Sequence, residues 1–392
     1  MMRVIYILSS TTPYGGATKS FLVMVTQLQN AGVMPLIVVP DSGGICARLS
    51  ELGIEYCVLS YRNGVYPPVG SLKDLLLFVP RLIGRICINK IAAGRICTIA
   101  QQFKPDLIHT NVGVVTIGYL ASRRLHIPHV WHIREYGDKD FDLHFYPSRR
   151  NHLRALQQPG SYSICITRDI AEYSGVKGSE QSRVIYNGIV SADELHKEVA
   201  MMPKECFFLF AGRIEQGKGI LDMINAFMHS IKVMHVKHKL LLAGRIEDAN
   251  YYKKITESIS KARVKDEVVF LGEVPDVEKY MQKAKAVIVP SISEGFGRVM
   301  AEAMCLKTLV IARNSAGSKE QLDNGFRLVG TEIGLRYSTT EELSQLMVQV
   351  ADREAESYSD MVTDARRTVC ALYTNEQYAQ NILSFYKQIL SR

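Results

Sequence analysis

The chain has 392 residues, 47% of them hydrophobic and 22% charged; this excludes disordered and fibrous classes and, at this length, predicts two domains. No apolar run reaches the roughly 18–20 residues of a membrane-spanning helix. The net charge of +8 is concentrated, because residues 61–130 carry nine basic against two acidic residues, a net +7. Such a basic segment attracts nucleic acid, an anionic membrane or a phosphorylated substrate. A single Trp and the lack of a nucleic-acid-binding module place nucleic acid last, and no nucleic-acid partner is expected. The eight cysteines are scattered, with no C-x-x-C pair or His/Cys cluster at metal-ligand spacing. No metal and no cofactor are expected.

The first apolar stretch, Val4 to Leu8, runs into Ser9-Ser10-Thr11-Thr12-Pro13-Tyr14-Gly15-Gly16, which lacks a small-residue cleavage site. It reads as a buried strand, and the absence of an export signal predicts a cytoplasmic protein. A helix is predicted over Ala17–Asn30, ended by Ala31-Gly32. Further strands are predicted at Pro35–Val39, Glu55–Leu59, Asp106–His109, His129–His132, Tyr162–Ile166 and Arg183–Tyr186. Leu72 to Gln102 reads as one long or broken helix, interrupted near Pro80. Its stretch 75–102 carries Arg81, Arg85, Lys90 and Arg95, a candidate contact with the inner membrane face.

A polar linker, Ser191 to Lys204, precedes a second βαβ rhythm. Its strands are predicted at Phe207–Ala211, Lys239–Ala243, Val268–Leu271, Ala286–Val289 and Thr308–Ile311; Glu341 to the terminus reads as helical throughout. Open parallel sheets bind ligands at the carboxyl ends of their strands, so two such arrays predict a shared site.

The densest chemical signal is Pro290-Ser291-Ile292-Ser293-Glu294-Gly295-Phe296-Gly297-Arg298-Val299-Met300-Ala301-Glu302. A strand ends, a turn with two glycines follows, and a helix begins near Gly297. Glycines admit close approach of the backbone, and the free N–H groups of a helix start favour an anion. Glu294 and Glu302 flank that start as acceptors for a sugar and a ribose. The competing reading makes Glu294 a helix cap and Glu302 a solvated charge. Phe210-Ala211-Gly212-Arg213-Ile214-Glu215-Gln216-Gly217-Lys218-Gly219 supplies two cations suited to phosphate. It nearly spells a phosphate-binding P-loop, but Gly219 stands where Ser or Thr must hold Mg²⁺, which argues against an NTPase. Pro13-Tyr14-Gly15-Gly16-Ala17 opens the first helix without the glycine order of dinucleotide-binding enzymes. Trp131-His132-Ile133-Arg134-Glu135 closes a strand on the same sheet, and His109 and Asn111 close its neighbour.

The Glu294 to Glu302 segment resembles the E-x7-E signature of glycosyltransferase family 4. Ser315-Ala316-Gly317-Ser318-Lys319-Glu320 is similar to that family's next loop, although the family has a Gly-Gly pair and a Pro where this chain has Ala316-Gly317 and Lys319. Val184-Ile185-Tyr186-Asn187-Gly188-Ile189 resembles its hinge. The resemblance implies an α/β protein of GT-B fold, two Rossmann-like domains with parallel sheets facing across a cleft. Residues 1–190 would bind the acceptor and 191–372 the nucleotide-sugar donor, with 373–392 a helix returning to the first domain.

The resemblance further implies a retaining, metal-independent glycosyltransferase of hexosyltransferase type, with a UDP- or GDP-linked donor and a glycan or lipid-linked acceptor. His132, Arg213, Lys218 and Glu294 would be catalytic. Gly16, Gly212, Arg213, Lys218, Glu294, Gly295, Phe296, Gly297, Arg298, Val299 and Glu302 would hold the donor, and Gly15, Gly16, His109, Asn111 and Arg134 would face the acceptor. The rivals are an epimerase or phosphorylase of the same fold and a non-catalytic sugar-nucleotide-binding subunit.

Overall fold

The computed structural model describes the chain apart from Tyr14, His196, Glu198, Ala200, Met201, His235 and Val236. Part of the predicted linker and one residue of the Gly15-Gly16 loop therefore lie outside the described residues. The chain forms two compact units, Met1–Gly188 with Asn375–Arg392, and Ile189–Thr374.

Among the described residues, the first unit holds the strands β1 (Met2–Ile7), β2 (Val33–Val39), β3 (Glu55–Val58), β4 (Leu107–Thr110), β5 (His129–Ile133), β6 (Ser161–Cys165) and β7 (Ser182–Val184). They make one parallel sheet in the order β3-β2-β1-β4-β5-β6-β7. A parallel sheet is covered on both faces, which is why the buried part of β1, Val4 to Ile7, is an apolar run and not an alternating one. Its side chains nonetheless alternate in destination. Val4, Tyr6 and Leu8 enter a core with Phe21, Met24, Ile382 and Tyr386, while Ile5 and Ile7 enter another with Ile96, Val115 and Ile117. The first of these cores is closed by the helices Gly16–Asn30 and Asn375–Leu390, so the last helix does belong to the first unit.

The second unit holds β8 (Glu205–Ala211), β9 (Lys239–Ala243), β10 (Val268–Gly272), β11 (Ala284–Val289), β12 (Val310–Arg313) and β13 (Leu335–Tyr337). Their order is β10-β9-β8-β11-β12-β13, again parallel. Phe208, Phe227, Ile255, Ile288 and Met347 lie in its core. In each sheet the winding reverses once, between β1 and β4 and between β8 and β11, and at such a switch point the loops part to leave a crevice.

The interruption predicted near Pro80 is found at Leu77, between the helices Leu72–Leu76 and Phe78–Phe103. Pro80 sits in the first turn of the second helix, where its missing N–H has no partner to lose. β13 is not predicted at all. The C-terminal region is three helices, Thr340–Asp352, Ser359–Leu372 and Asn375–Leu390, instead of a continuous one. The first of them opens with a capping box in which Thr339 accepts from Glu342 N–H and Glu342 answers at Thr339 N–H. No described helix is long and apolar enough to cross a membrane.

Candidate active site

In the second unit the switch point is framed by the segments that follow β8 and β11, where the two motifs fall. Gly212 leaves β8 at φ 154° and donates its N–H to the Ala243 carbonyl, 2.9 Å away, and Ile214 donates to the Arg245 carbonyl at 2.8 Å, so the loop stays alongside the segment that follows β9. Arg213 then pairs with Glu215 at 2.9 Å. A short 3-10 turn, Gln216–Lys218, carries Lys218 toward β11, and Gly219 follows at φ 64° with its α-carbon against the Pro290 carbonyl. A side chain at that position would collide with the end of β11, so Gly219 brings the two loops together.

The contact places Lys218 Nζ 2.8 Å from Glu294 Oε2, with the two side chains only 20% and 21% exposed. Burial pushes the Glu294 carboxyl up, but Lys218, the Ser291 hydroxyl and Arg213 outweigh it and hold the group below its ordinary value. Glu294 is therefore a carboxylate at neutral pH. It is not a helix cap: Gly297, at φ 85°, holds the N-cap position of the helix Arg298–Cys305.

The turn from Glu294 to Gly297 is braced from the segment after β12. Gly317 donates its N–H to the Glu294 carbonyl at 2.9 Å, and the Gln321 amide donates to the carbonyls of Phe296 and, at 3.1 Å, Gly297. A β-carbon on Gly317 would stand 2.7 Å from the carbonyl oxygens of Glu294 and Gly295, so only glycine fits. Ala316 beside it takes φ 46°, the left-handed region that favours glycine, at the place where the family signature has its first Gly. Phe296 is buried edge-on against Tyr373. One turn along, Arg298 pairs with Glu302 at 3.2 Å across an i,i+4 spacing, and Val299 lies between them on the helix. Each acid of the E-x7-E signature thus holds a cation.

The first unit builds a different kind of site at the ends of β4 and β5. His109 and His132 lie on these neighbouring strands with His109 Nε2 3.1 Å from His132 Nδ1. Both are fully buried, and burial, followed by Arg134, drives both imidazoles well below their ordinary value, so they are neutral at pH 7. Arg134 donates through Nη2 to His132 Nδ1 at 3.3 Å. A guanidinium can only donate, so His132 Nδ1 accepts and its proton sits on Nε2. His109 Nε2 then donates to the same Nδ1, and His109 Nδ1 accepts from the Tyr386 hydroxyl at 2.5 Å. His132 Nε2 has no hydrogen-bond partner among the described residues. A relay that starts on the last helix therefore ends in one N–H donor still to be satisfied.

Arg134 and Asn111, expected on the acceptor side, are turned toward each other. Arg134 Nε donates to Asn111 Oδ1 at 3.0 Å, Nη1 to Asn187 Oδ1 at 2.7 Å and Nη2 to the Tyr378 hydroxyl at 2.8 Å. Arg134 is thus a buried cross-link between β4, the hinge segment and the last helix. Glu135 accepts the Gly113 N–H at 2.8 Å; burial, with Asp140 adding, pushes its carboxyl up to about 7. Asp138 accepts from the Tyr173 hydroxyl at 2.6 Å and pairs with Arg149. Gly15 is the N-cap of the helix that begins at Gly16, at the end of the sheet where β1 gives out.

Tyr378, Tyr386 and Gln321 are absent from the sequence-based set. The two tyrosines lie on the buried stripe of the last helix with Ile382 and Ile389, a pattern that reads as core. Their hydroxyls matter only once the strand opposite is known to carry His109 and Arg134.

Comparison with known proteins agrees with this architecture. Residues 15–188 match the family model "Glycosyl transferase 4-like domain" and residues 191–368 match "Glycosyl transferases group 1". The chain is 27% identical over 312 residues to an uncharacterized glycosyltransferase, MJ1178, of Methanocaldococcus jannaschii, covering 75% of this chain and 82% of that one. It is 33% identical over 150 residues to the O-antigen chain mannosyltransferase RfbU of Salmonella typhimurium, which covers 38% of this chain and 39% of that one. Anabaena Alr3699/HepE, solved in complex with UDP and glucose, superposes with a TM-score of 0.75 at 19% identity over 98% of this chain and 99% of that one. Two parallel Rossmann-like units, both family models and these relatives make the chain a GT-B glycosyltransferase of the family 4 kind.

Proposed function

We propose that the enzyme moves a sugar from a UDP- or GDP-linked donor, with retention of configuration and without a metal, to a hydroxyl of a glycan or lipid-linked acceptor. The inner membrane face is its place of work, in the synthesis of a surface polysaccharide or glycolipid. The observation that carries this reading is the Lys218–Glu294 pair at the β8/β11 switch point. It sets a phosphate-binding cation and a hydroxyl-binding carboxylate side by side at the start of a helix. The O-antigen role in the name of RfbU and the UDP and glucose held by Alr3699/HepE favour the same substrate classes.

In this reading Arg213, Lys218 and the N–H groups of the helix start at Arg298 take the charge that develops on the departing diphosphate. Glu294 and the backbone of Gly295–Gly297 hold the sugar hydroxyls, and Glu302 the ribose. His132 offers its Nε2–H to a sugar oxygen. Gly15 and Gly16 lie beside donor phosphate and acceptor, and Arg134 and Asn111 serve by fixing His132. The anomeric carbon's bond to the phosphate oxygen breaks as the acceptor oxygen bonds to that carbon from the same face. The acceptor's proton passes to the departing phosphate oxygen. Glu135 and Asp138, the acids an inverting base would require, are already committed to Gly113, Tyr173 and Arg149. Proton NMR of the product from an α-linked donor, made in EDTA, is expected to show an α-linkage at an undiminished rate. A β-linkage, or activity restored only by Mg²⁺ or Mn²⁺, would overturn the reading.

A further inference from the structure

We propose that residues 69–91 are a membrane-insertion surface, in which Leu72, Leu75, Leu76, Val79 and Ile83 enter the acyl region of an anionic bilayer. The inference rests on the membrane association proposed above, which called only on charge, and adds to it a hydrophobic anchor.

The helix Leu72–Leu76 buries none of its residues, and Leu72 and Leu76 are 82% and 81% exposed. Val69, Leu75, Val79, Ile83 and Ile91 are exposed as well. The long helix Phe78–Phe103 divides into two halves. Its second half packs on the first unit through Asn89, Ala92, Ala93, Ile96 and Ala100, whereas no residue from Phe78 to Ile88 is buried. A helix on a water-facing surface keeps its apolar residues on one stripe turned inward. Here the first turns carry leucine, isoleucine and valine outward, and a concentration of this kind marks an interaction surface.

Charge identifies the occupant. Residues 62–95 hold Arg62, Lys73, Arg81, Arg85, Lys90 and Arg95 against Asp74 alone, a net +5. A second copy docking through the same patch would set +5 against +5, whereas anionic headgroups complement it. Long basic side chains beside protruding leucines are the composition of an element that lies in the interfacial plane.

Place supports the same reading. The helix Phe78–Phe103 leads into β4, so its first turn stands at the carboxyl end of the sheet, the end that bears Gly15 and Asn111. Stacking of Tyr66 on Phe78 and the Val65–Phe145 bridge hold the patch there. A lipid-linked acceptor rising from a bilayer on this surface would meet that end of the sheet.

The test is sedimentation with vesicles of phosphatidylcholine, with and without phosphatidylglycerol, at about 0.1 M and about 1 M salt, where the screening length falls from about 10 to about 3 Å. Binding to the anionic vesicles is expected to weaken at high salt yet persist. The Leu72→Ser/Leu76→Ser variant should lose the persistent part, by about tenfold or more for each leucine. Trp131 is the sole tryptophan and is buried, so Leu76→Trp provides a clean probe whose emission should shift to the blue with vesicles at both salt concentrations. All these positions are exposed, and an unchanged melting curve will verify the fold. Binding that vanishes at high salt and ignores the leucines would overturn the insertion and leave the charge-driven association standing. No sedimentation at low salt would overturn both, as would a dimer or an acidic protein complex that the serine variant dissociates without any vesicle binding.

Discussion

The two units equip the carboxyl ends of their strands in opposite ways. The second unit gathers ion pairs in its loops and along the helix that follows β11: Arg213 with Glu215, Lys218 with Glu294, Arg298 with Glu302. The first unit gathers neutral, fully buried rings and hydroxyls whose hydrogen bonds run from Tyr386 through His109 to His132. Charges at a loop can change partner when a charged group arrives, so the second unit is suited to a diphosphate whose charge grows during the reaction. A buried neutral relay cannot change its protonation cheaply, but it fixes one donor in direction. It suits a neutral sugar. In the proposed reading, one polypeptide thus separates stabilisation of charge from orientation.

The sharpest way to break this contrast is Lys218→Ala. It removes a cation from the charge-handling side and should lower turnover by about 10²–10³-fold, the usual loss for one donor to developing charge. The melting temperature should fall as well, because the change leaves the mostly buried Glu294 carboxylate without its nearest cation. Steady-state kinetics with normal turnover and normal donor affinity would remove Lys218 from the diphosphate site. Next in size is Tyr386→Phe, which deprives His109 Nδ1 of its donor and leaves the His109 tautomer less firmly fixed. Turnover should fall about fivefold, the factor set by one hydrogen bond of about 1 kcal/mol. UDP affinity should be unchanged, and the nitrogen chemical shifts of His109 should report a mixture of tautomers, while Arg134 still holds the tautomer of His132. If the shifts stay fixed while turnover falls, the tyrosine acts by packing and not through the relay. Smallest is Ala316→Gly. Releasing the strain of φ 46° is expected to raise stability by about 1 kcal/mol in denaturant titration with no loss of turnover. A destabilised variant would mean that the brace on the Glu294 turn needs the methyl group more than the relaxed backbone.

The strands that position the site were legible because parallel strands buried on both faces are continuous apolar runs. Phe207–Ala211 and Lys239–Ala243 are found within two residues of their predicted ends. Leu335–Tyr337 escaped because three residues carry no period, and the C-terminal breaks escaped because Arg353 and Tyr373 leave the helical path without Gly or Pro to mark them. In the site, Glu294, Glu302, Arg213 and Lys218 were legible since their spacing along the chain is local. Their ion pairs were not, since Lys218 meets Glu294 only through Gly219 against Pro290. Arg134 was expected to face a ligand and instead ties Asn111, Asn187 and Tyr378 together, partners up to 244 positions away.

The return of the final helix to the first unit has a consequence for synthesis on the ribosome. Ile382, Leu383, Phe385, Tyr386 and Ile389 are all buried there, at roughly 2 kcal/mol each a total comparable with the whole stability of a domain. Most of the first unit's chain therefore emerges before the piece that closes its core, and it waits while residues 189–374 are made. The second unit, contiguous in sequence, can fold during that wait. The second unit is thus expected to complete its core before the first, against the usual order in which the amino-terminal domain folds first. Until the last turns leave the exit tunnel, the nascent protein holds Tyr6, Phe21 and Met24 uncovered, a surface for chaperones to guard.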